Sequence, residues 1–402
     1  MGSLEASLAL PLAGRYPRPR NPAECLPLVY GHMSGGQAGL WKAVCIDSQA
    51  FVYALAGHAL TPPGPANPLT LYDRDGAVID PADYRIDPAQ DYLGRGVVAS
   101  VRFLAQAKDR EPIAVRGHGK PGADGAPLTN PLDLARDLLV NQGGLASETI
   151  DPGFFNRARS RAAQAGYRAA GVISRSVCLG QALTGLLGEF LGSWWWGGDG
   201  RLRLSLELTT GGLDDGELAG AFSQAQLSQV SVGASLGDVV NQVEVLYAYN
   251  PLTQQPQAAW SGAAGIDLRS QGLYGVRRQE LSLQWVREEA VAATLAARLT
   301  AAFAFPRRTI SCQEDALVNL ALERGDAALL SLDWLCDQRG RPLINQIVRV
   351  LSLEPQLDRG VVNFSLLDTG CYRTLTRPAD GGCLADGGWL AGGERDSREF
   401  LT

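Results

Sequence analysis

Between residues 20 and 120 the apolar residues come in runs too short to make helices. Leu26–Tyr30, Ala43–Ile46, Phe51–Ala54, Leu69–Tyr72, Val97–Phe103 and Ile113–Val115 are separated by clusters of Pro, Gly and Asp. Short apolar runs bounded by turn formers read as strands. Arg74-Asp75-Gly76 supplies a turn between Leu71-Tyr72 and Val78-Ile79. Strands of this kind pack as a small barrel or sandwich. The pattern returns over 309–370. Glu323-Arg324-Gly325-Asp326 reads as a turn before Ala327–Leu332, followed by a strand over 343–353 and a turn at Asp358-Arg359-Gly360. In Val361–Leu367, Val362, Phe364 and Leu366 alternate with Asn363 and Ser365, the signature of a half-buried strand.

The stretch between is mixed. Asn130 can cap a helix, Pro131 suits its first position and Asp133 sits at its positive end. Leu134/Leu138 and Ala135/Leu139 give it an apolar stripe, and Asn141-Gln142-Gly143-Gly144 stops it. A second helix is expected over 176–191, from Leu179, Leu183, Leu186, Leu187 and Phe190. Its Gly180, Gly185 and Gly188 predict a close backbone approach, since each costs on the order of 1 kcal/mol against Ala. Trp194-Trp195-Trp196, the turn Gly197-Gly198-Asp199-Gly200 and the alternating Leu202, Leu204, Leu206 and Leu208 read as a hairpin. A strand over 238–250 places Val239, Val243, Val245, Tyr247 and Tyr249 on one face. A long helix over 285–305, with Val291, Leu295, Leu299 and Phe303 in register, ends at Pro306.

The fold class expected is therefore α+β and β-rich, with two small β-barrel-like domains and inserted α+β parts. The division predicted is an N-terminal arm over 1–20, a first barrel over 21–120 and an α+β domain over 121–235. A second barrel over 236–370 carries the 285–305 helix, and a Gly-rich C-terminal arm covers 371–402. That arm repeats itself, Ala379–Leu384 against Ala385–Leu390, and reads as a segment that orders on a partner.

Charge and motifs exclude several functions. The net charge is −6 with 19% charged residues, and no dense Lys/Arg run marks a nucleic-acid footprint. The N-terminus lacks a basic leader region, and the 285–305 segment carries Arg287, Glu288, Glu289 and Arg298, against a membrane span. The seven cysteines form no CxxC pair, which argues against a zinc ribbon. His32, His58 and His118 stand at no metal-ligand spacing in the sequence, so neither metal nor cofactor is expected. Arg116-Gly-His-Gly-Lys120 lacks the phosphate-loop pattern, and the zinc-protease motif is missing. The expectation is a protein that is not an enzyme. Two rivals remain open. Asp214, Asp215 and Glu217 could serve as acid and base of a glycan hydrolase, though adjacent acids suit a loop better than two carboxylates about 5–9.5 Å apart across a cleft. Trp194–Trp196 could stack sugars, or pack in a core or interface.

Five segments taken in order carry a resemblance: Asn130-Pro-Leu-Asp-Leu-Ala-Arg-Asp-Leu-Leu-Val-Asn141; the 176–191 helix with Gly197-Gly-Asp-Gly-Arg-Leu-Arg-Leu204; Leu213-Asp-Asp-Gly-Glu-Leu218; Val240-Asn-Gln-Val-Glu-Val-Leu-Tyr247; and Leu322-Glu-Arg-Gly-Asp326. Together they resemble the tail-tip (baseplate) hub proteins of tailed bacteriophages. That resemblance implies a virion protein of the tail tip, made in the host cytoplasm and assembled as a homotrimer. Two barrels per subunit would give a pseudo-sixfold ring. The partners implied are a distal-tail or tail-tube ring, a tape-measure protein and a spike or fibre. An acidic channel would let DNA slide through. The strand faces carrying Val243, Val245 and Tyr247, the strand at 343–353, and Trp389 in the C-terminal arm are the interface candidates.

Overall fold

The computed structural model describes residues 4–9, 11–33, 39–64, 69–105, 110–206, 218–315, 317–336 and 342–372. The chain begins with β1 (Ser7–Leu8), followed by the strands of a first roll: β2 (Leu28–Tyr30), β3 (His32–Met33), β4 (Trp41–Lys42), β5 (Val44–Asp47), β6 (Val52–Ala56), β7 (Thr70–Tyr72), β8 (Tyr84–Asp91), β9 (Val97–Phe103) and β10 (Ala114–His118). β10 lies between β3 and β4 and also pairs with β7, while β5, β6, β9 and β8 make a second sheet in that order. Only Ala43 separates β4 from β5, so one bent segment serves both sheets. The Trp41 indole N–H donates across the core to the Leu55 carbonyl at 2.9 Å. Met33, Trp41, Leu71 and Val115 of one sheet meet Tyr53, Leu55, Val101 and Phe103 of the other. The outer face of the second sheet is covered by Leu12 and Tyr16. Burial on both faces explains why β6, Val-Tyr-Ala-Leu-Ala, does not alternate.

A middle body follows. It holds α1 (Pro131–Asp137), α2 (Pro152–Gln164), β11 (Gly171–Ile173), β12 (Val177–Cys178), α3 (Leu179–Glu189) and the hairpin β13 (Gly192–Trp196) with β14 (Leu202–Leu206). β15 (Leu218–Ser223) and β16 (Leu227–Ala234) leave it for a second roll. The chain then returns to the middle body with β17 (Gln242–Asn250), β18 (Gln255–Trp260), α4 (Leu268–Tyr274), β19 (Arg278–Ser282) and α5 (Glu289–Phe303). β20 (Arg308–Glu314), β21 (Ala327–Cys336), β22 (Pro342–Gln356) and β23 (Val361–Tyr372) complete the second roll, whose strand order is β15-β21-β22-β23-β20-β16. Its two end strands are consecutive pieces of one bent segment, joined through Gln224–Gln226. The sheet must therefore curl around Phe222, Ile310, Leu330, Val348, Val350 and Phe364. No ladder joins β15 to β16 among the described residues, so the roll is not a closed barrel.

Several expectations need correcting. The boundary at 235/236 does not hold. β15 and β16 belong with β20–β23, whereas Val243, Val245, Tyr247, Val291 and Leu295 join the core of Leu134, Leu179 and Leu204. The N-terminal segment is no free arm: β1 pairs with β12, and Leu12 and Tyr16 are buried. The helix expected over 176–191 starts at Leu179, because Val177–Cys178 is taken by the pairing with β1. The helix expected from 285 starts at Glu289, because Trp285 lies in a bend, its carbonyl accepting from the Ala170 N–H. Of the three α3 glycines only Gly180 is closely approached, by the Leu4 carbonyl; Gly185 and Gly188 face open space.

Candidate functional site

Two polar clusters lie where the three bodies of the described chain meet. At the first joint Asp137 lies at the end of α1, a helix started by the Asn130 side chain accepting from the Leu132 N–H. Asp137 is 5% exposed. It accepts from the Tyr30 hydroxyl at 2.7 Å and the Asn141 amide at 2.6 Å, and pairs with the Lys120 ammonium at 2.7 Å. A charge so buried is tolerated only when paired and hydrogen-bonded. Full burial and the neighbouring carboxylate push the Tyr30 phenol well above its ordinary range. Beside it, His58 is buried and neutral. Its Nε2 accepts from the Val29 N–H at 2.9 Å, and its Nδ1 faces the Ala59 carbonyl at 2.8 Å. Burial lowers its pKa to about 4. β2 also pairs with β11. Between these elements Gly31 takes φ +73°, and a Cβ there would lie 2.3 Å from the Ala169 carbonyl oxygen, so only glycine fits.

The second joint is built on Arg203 of β14. Its guanidinium hydrogen-bonds Glu323 of the turn before β21, with Asp199 at 3.8 Å and Asp151 at 3.9 Å. The Gly198 N–H donates to the other Glu323 oxygen at 3.1 Å. Phe154 of α2 lies under two guanidinium groups, Arg157 at 4.6 Å and Arg203 at 4.9 Å from its centroid. Trp195 meets it edge-on at 5.5 Å. Trp195 also covers Gly325, where φ is +90° and a Cβ would lie 2.8 Å from the indole. Burial raises the Asp326 carboxyl, although its oxygen accepts from the Glu323 N–H. A small open cleft of about 40 Å³ lies at this joint, edged by Arg157, Arg161, Asp326 and Arg349.

Two further polar anchors hold the middle body. Asn241 is fully buried. Its amide donates to the Ser270 hydroxyl at 3.0 Å and the Gly275 carbonyl at 2.9 Å, and its oxygen accepts from the Arg277 N–H at 2.7 Å. It thereby fixes the loop around α4. Glu189, at the end of α3, accepts from the N–H groups of Gln284 and Trp285 at 2.8 and 2.7 Å. The residue is partly exposed, yet its carboxyl is enclosed; that burial pushes its pKa up to about 8 against two donors that favour the anion.

The interface candidates fall differently. Val243, Val245 and Tyr247 are turned into the chain's own core, and β17 runs between β18 and β19 rather than at an edge. β22, the strand expected at 343–353, is likewise flanked on both sides, by β21 and β23. Trp389 lies outside the described residues, as do Asp214, Asp215, Glu217 and the Gly-rich repeat. The three tryptophans do not form one platform, because successive strand side chains point to opposite faces. The Trp194 indole donates to Thr184 of α3, Trp195 belongs to the second joint, and Trp196 is 47% exposed. The sequence spacing also missed a pairing. His32 and His118 stand opposite each other on β3 and β10, with Nδ1 and Nε2 3.3 Å apart. Among the described residues no group of three or more His, Cys, Asp or Glu side chains converges on one point. No described helix is long and apolar enough to cross a membrane.

No protein-family model matches the chain, and no curated protein is similar to it in sequence. Among solved structures it is similar to a 43 kDa tail protein of prophage MuSo2 from Shewanella oneidensis, at 8% identity and a TM-score of 0.35. The alignment covers 86% of this chain and 94% of that one.

Proposed function

We propose that this chain is a structural subunit of a phage tail tip, a hub that assembles as a homotrimeric ring, joins the tail tube to the tip and lines or closes the DNA-ejection channel. One observation carries the reading: the segments that resemble hub proteins are the segments that weld the bodies together. Asp137 of the first segment ties α1 to the first roll, Gly198 and Arg203 of the second meet Glu323 of the fifth, and Asn241 of the fourth anchors the loop around α4. These residues are engaged in holding geometry, as a ring component requires, and not in presenting reactive groups. The third segment lies outside the described residues up to Leu218.

In this reading the partners are two further copies, a distal-tail or tube ring, a tape-measure protein and a spike or fibre. The two rolls differ in strand order, and among their described ladders the parallel one, β15 with β21, is in the second. Any pseudo-sixfold match to a tube would therefore rest on the outline of the rolls and not on equivalent strands. The test is light scattering on the purified protein together with mass spectrometry of purified virions. A mass near three times 42.8 kDa is expected, with the polypeptide present in tails. Its absence from virions overturns the reading.

A further inference from the structure

We infer that His32 and His118 form a binding site for a divalent transition-metal ion of the zinc class, at the seam between the first roll and the middle body. The two residues are 86 positions apart in the chain but directly opposite in the β3–β10 ladder. The register, set by Gly117 facing Met33 one step earlier, delivers both imidazoles to the same side of the sheet. Their rings stand at 84° with centroids 4.5 Å apart. The nitrogens that face each other are 3.3 Å apart. Two imidazoles bound at about 2.0–2.1 Å to one tetrahedral ion have their nitrogens roughly 3.3 Å apart, so the pair already has the bite of a chelate. Without metal the same contact is an imidazole–imidazole hydrogen bond, which one shared proton satisfies.

The surroundings suit a neutral, metal-ready pair. Both rings are half-buried, which disfavours a charge on either, and Arg168 disfavours one on His32. Glu288 acts in the opposite sense on His32 and pairs with Arg168 at 3.5 Å. Both of these belong to the middle body, Arg168 after α2 and Glu288 as the residue that starts α5. A cation between the histidines would draw on the Glu288 charge and be opposed by Arg168, leaving its remaining positions to water. The site would be a surface clasp, open and exchangeable, and not a closed structural zinc site.

The experiment is calorimetric titration of the full chain with Zn²⁺ in a non-chelating buffer, alongside His32→Gln, His118→Gln, the double variant and Glu288→Gln. Co²⁺ is the spectroscopic probe, because thiolate charge-transfer bands separate cysteine binding from imidazole binding. One equivalent bound without a thiolate band is expected, weakened about tenfold or more in either histidine variant and lost in the double variant. Glu288→Gln, outside the pair, should weaken it by a smaller factor. Binding by the wild-type chain should also fall away below about pH 6 as protons compete for the imidazoles. An isotherm unchanged in the double variant overturns the proposal. So does wild-type binding that persists undiminished at acid pH, or one carried by a thiolate band.

Discussion

Leu28 and Tyr30 of the first roll sit in the same buried cluster as Leu132, Leu179 and Trp285 of the middle body, and Ala170 of the middle body returns the favour in the first roll's core. The second roll is different. Its cluster draws only on residues between Phe222 and Leu366, with none from the middle body among the described residues. Among the described residues its attachment includes the Arg203–Glu323 pair, the Gly198 N–H, and Trp195 lying on Gly325. The first joint is a continuous core with one buried ion pair inside it; the second is a rim of charge and one aromatic contact between two completed cores. Apolar area removed from water is worth roughly 25 cal/mol per Å², whereas a hydrogen bond to a charged group contributes about 1.5–3 kcal/mol. A joint of the first kind should unfold together with what it joins. One of the second kind should let its roll come away as a separate cooperative unit.

The largest effect should come from Asp137→Ala. It leaves Lys120, 18% exposed, and the buried Tyr30 hydroxyl without their acceptor, and breaking a buried pair from one side costs about 3–5 kcal/mol. In urea, followed by circular dichroism and tryptophan fluorescence, the first roll and the middle body should lose stability in one transition. If instead only local probes near Tyr30 move, the idea of a shared core between them is wrong.

Arg203→Ala should cost less, on the order of 1–3 kcal/mol, because the pair it breaks keeps some contact with water. Its signature is the shape of the curve. An early transition should separate from the main one and carry the second roll alone, seen by hydrogen exchange in β20–β23. Gly325→Ala should do the same by forcing Trp195 off the turn. A single unshifted transition in both variants would mean that the two joints are energetically alike.

The contrast between joints was only partly written in the sequence. The alternation in Val361–Leu367, the cap at Asn130-Pro131 and the apolar stripe of the 285–305 region all led to elements that exist, because each depends on neighbours within a few residues. α2 was missed although Asp151-Pro152 repeats the same cap, with Asp151 accepting from the Gly153 and Phe154 N–H groups. Its apolar contribution to the core is only Phe155, Ala158 and Ala162, too thin a stripe to stand out. What periodicity could not show was the partner of each face. Val243, Val245 and Tyr247 mark one buried side of a strand whether α5 or another subunit covers it, and the choice depends on the chain returning to the middle body after β16. The same holds for His32 and His118, which only sheet register brings together.

The last test probes the comparison through protons. His58 belongs to the first joint, and its pKa falls from 6.5 to about 4 on folding. The unfolded chain therefore binds the extra proton between those values, and His58 contributes stability that is lost as pH falls from about 6.5 to about 4. Glu189 shifts the other way, from 4.5 to about 8. The folded state there favours the protonated acid, so its contribution is fully present below about 4.5 and is lost as pH rises through about 8. The two slopes oppose each other between about 4.5 and 6.5, and only the Glu189 slope remains from there to about 8. Glu189→Gln removes that slope at the cost of an amide facing one of the two backbone donors. Its stability should be lower at pH 5 than that of the wild type, and the gap should narrow or reverse by pH 8. Neither group touches the Arg203 joint, so any early transition produced by Arg203→Ala should keep its distance from the main one by an amount that changes only as the main transition moves. An early transition that itself shifts with Glu189 would show that the second roll feels the middle body through more than its charged rim.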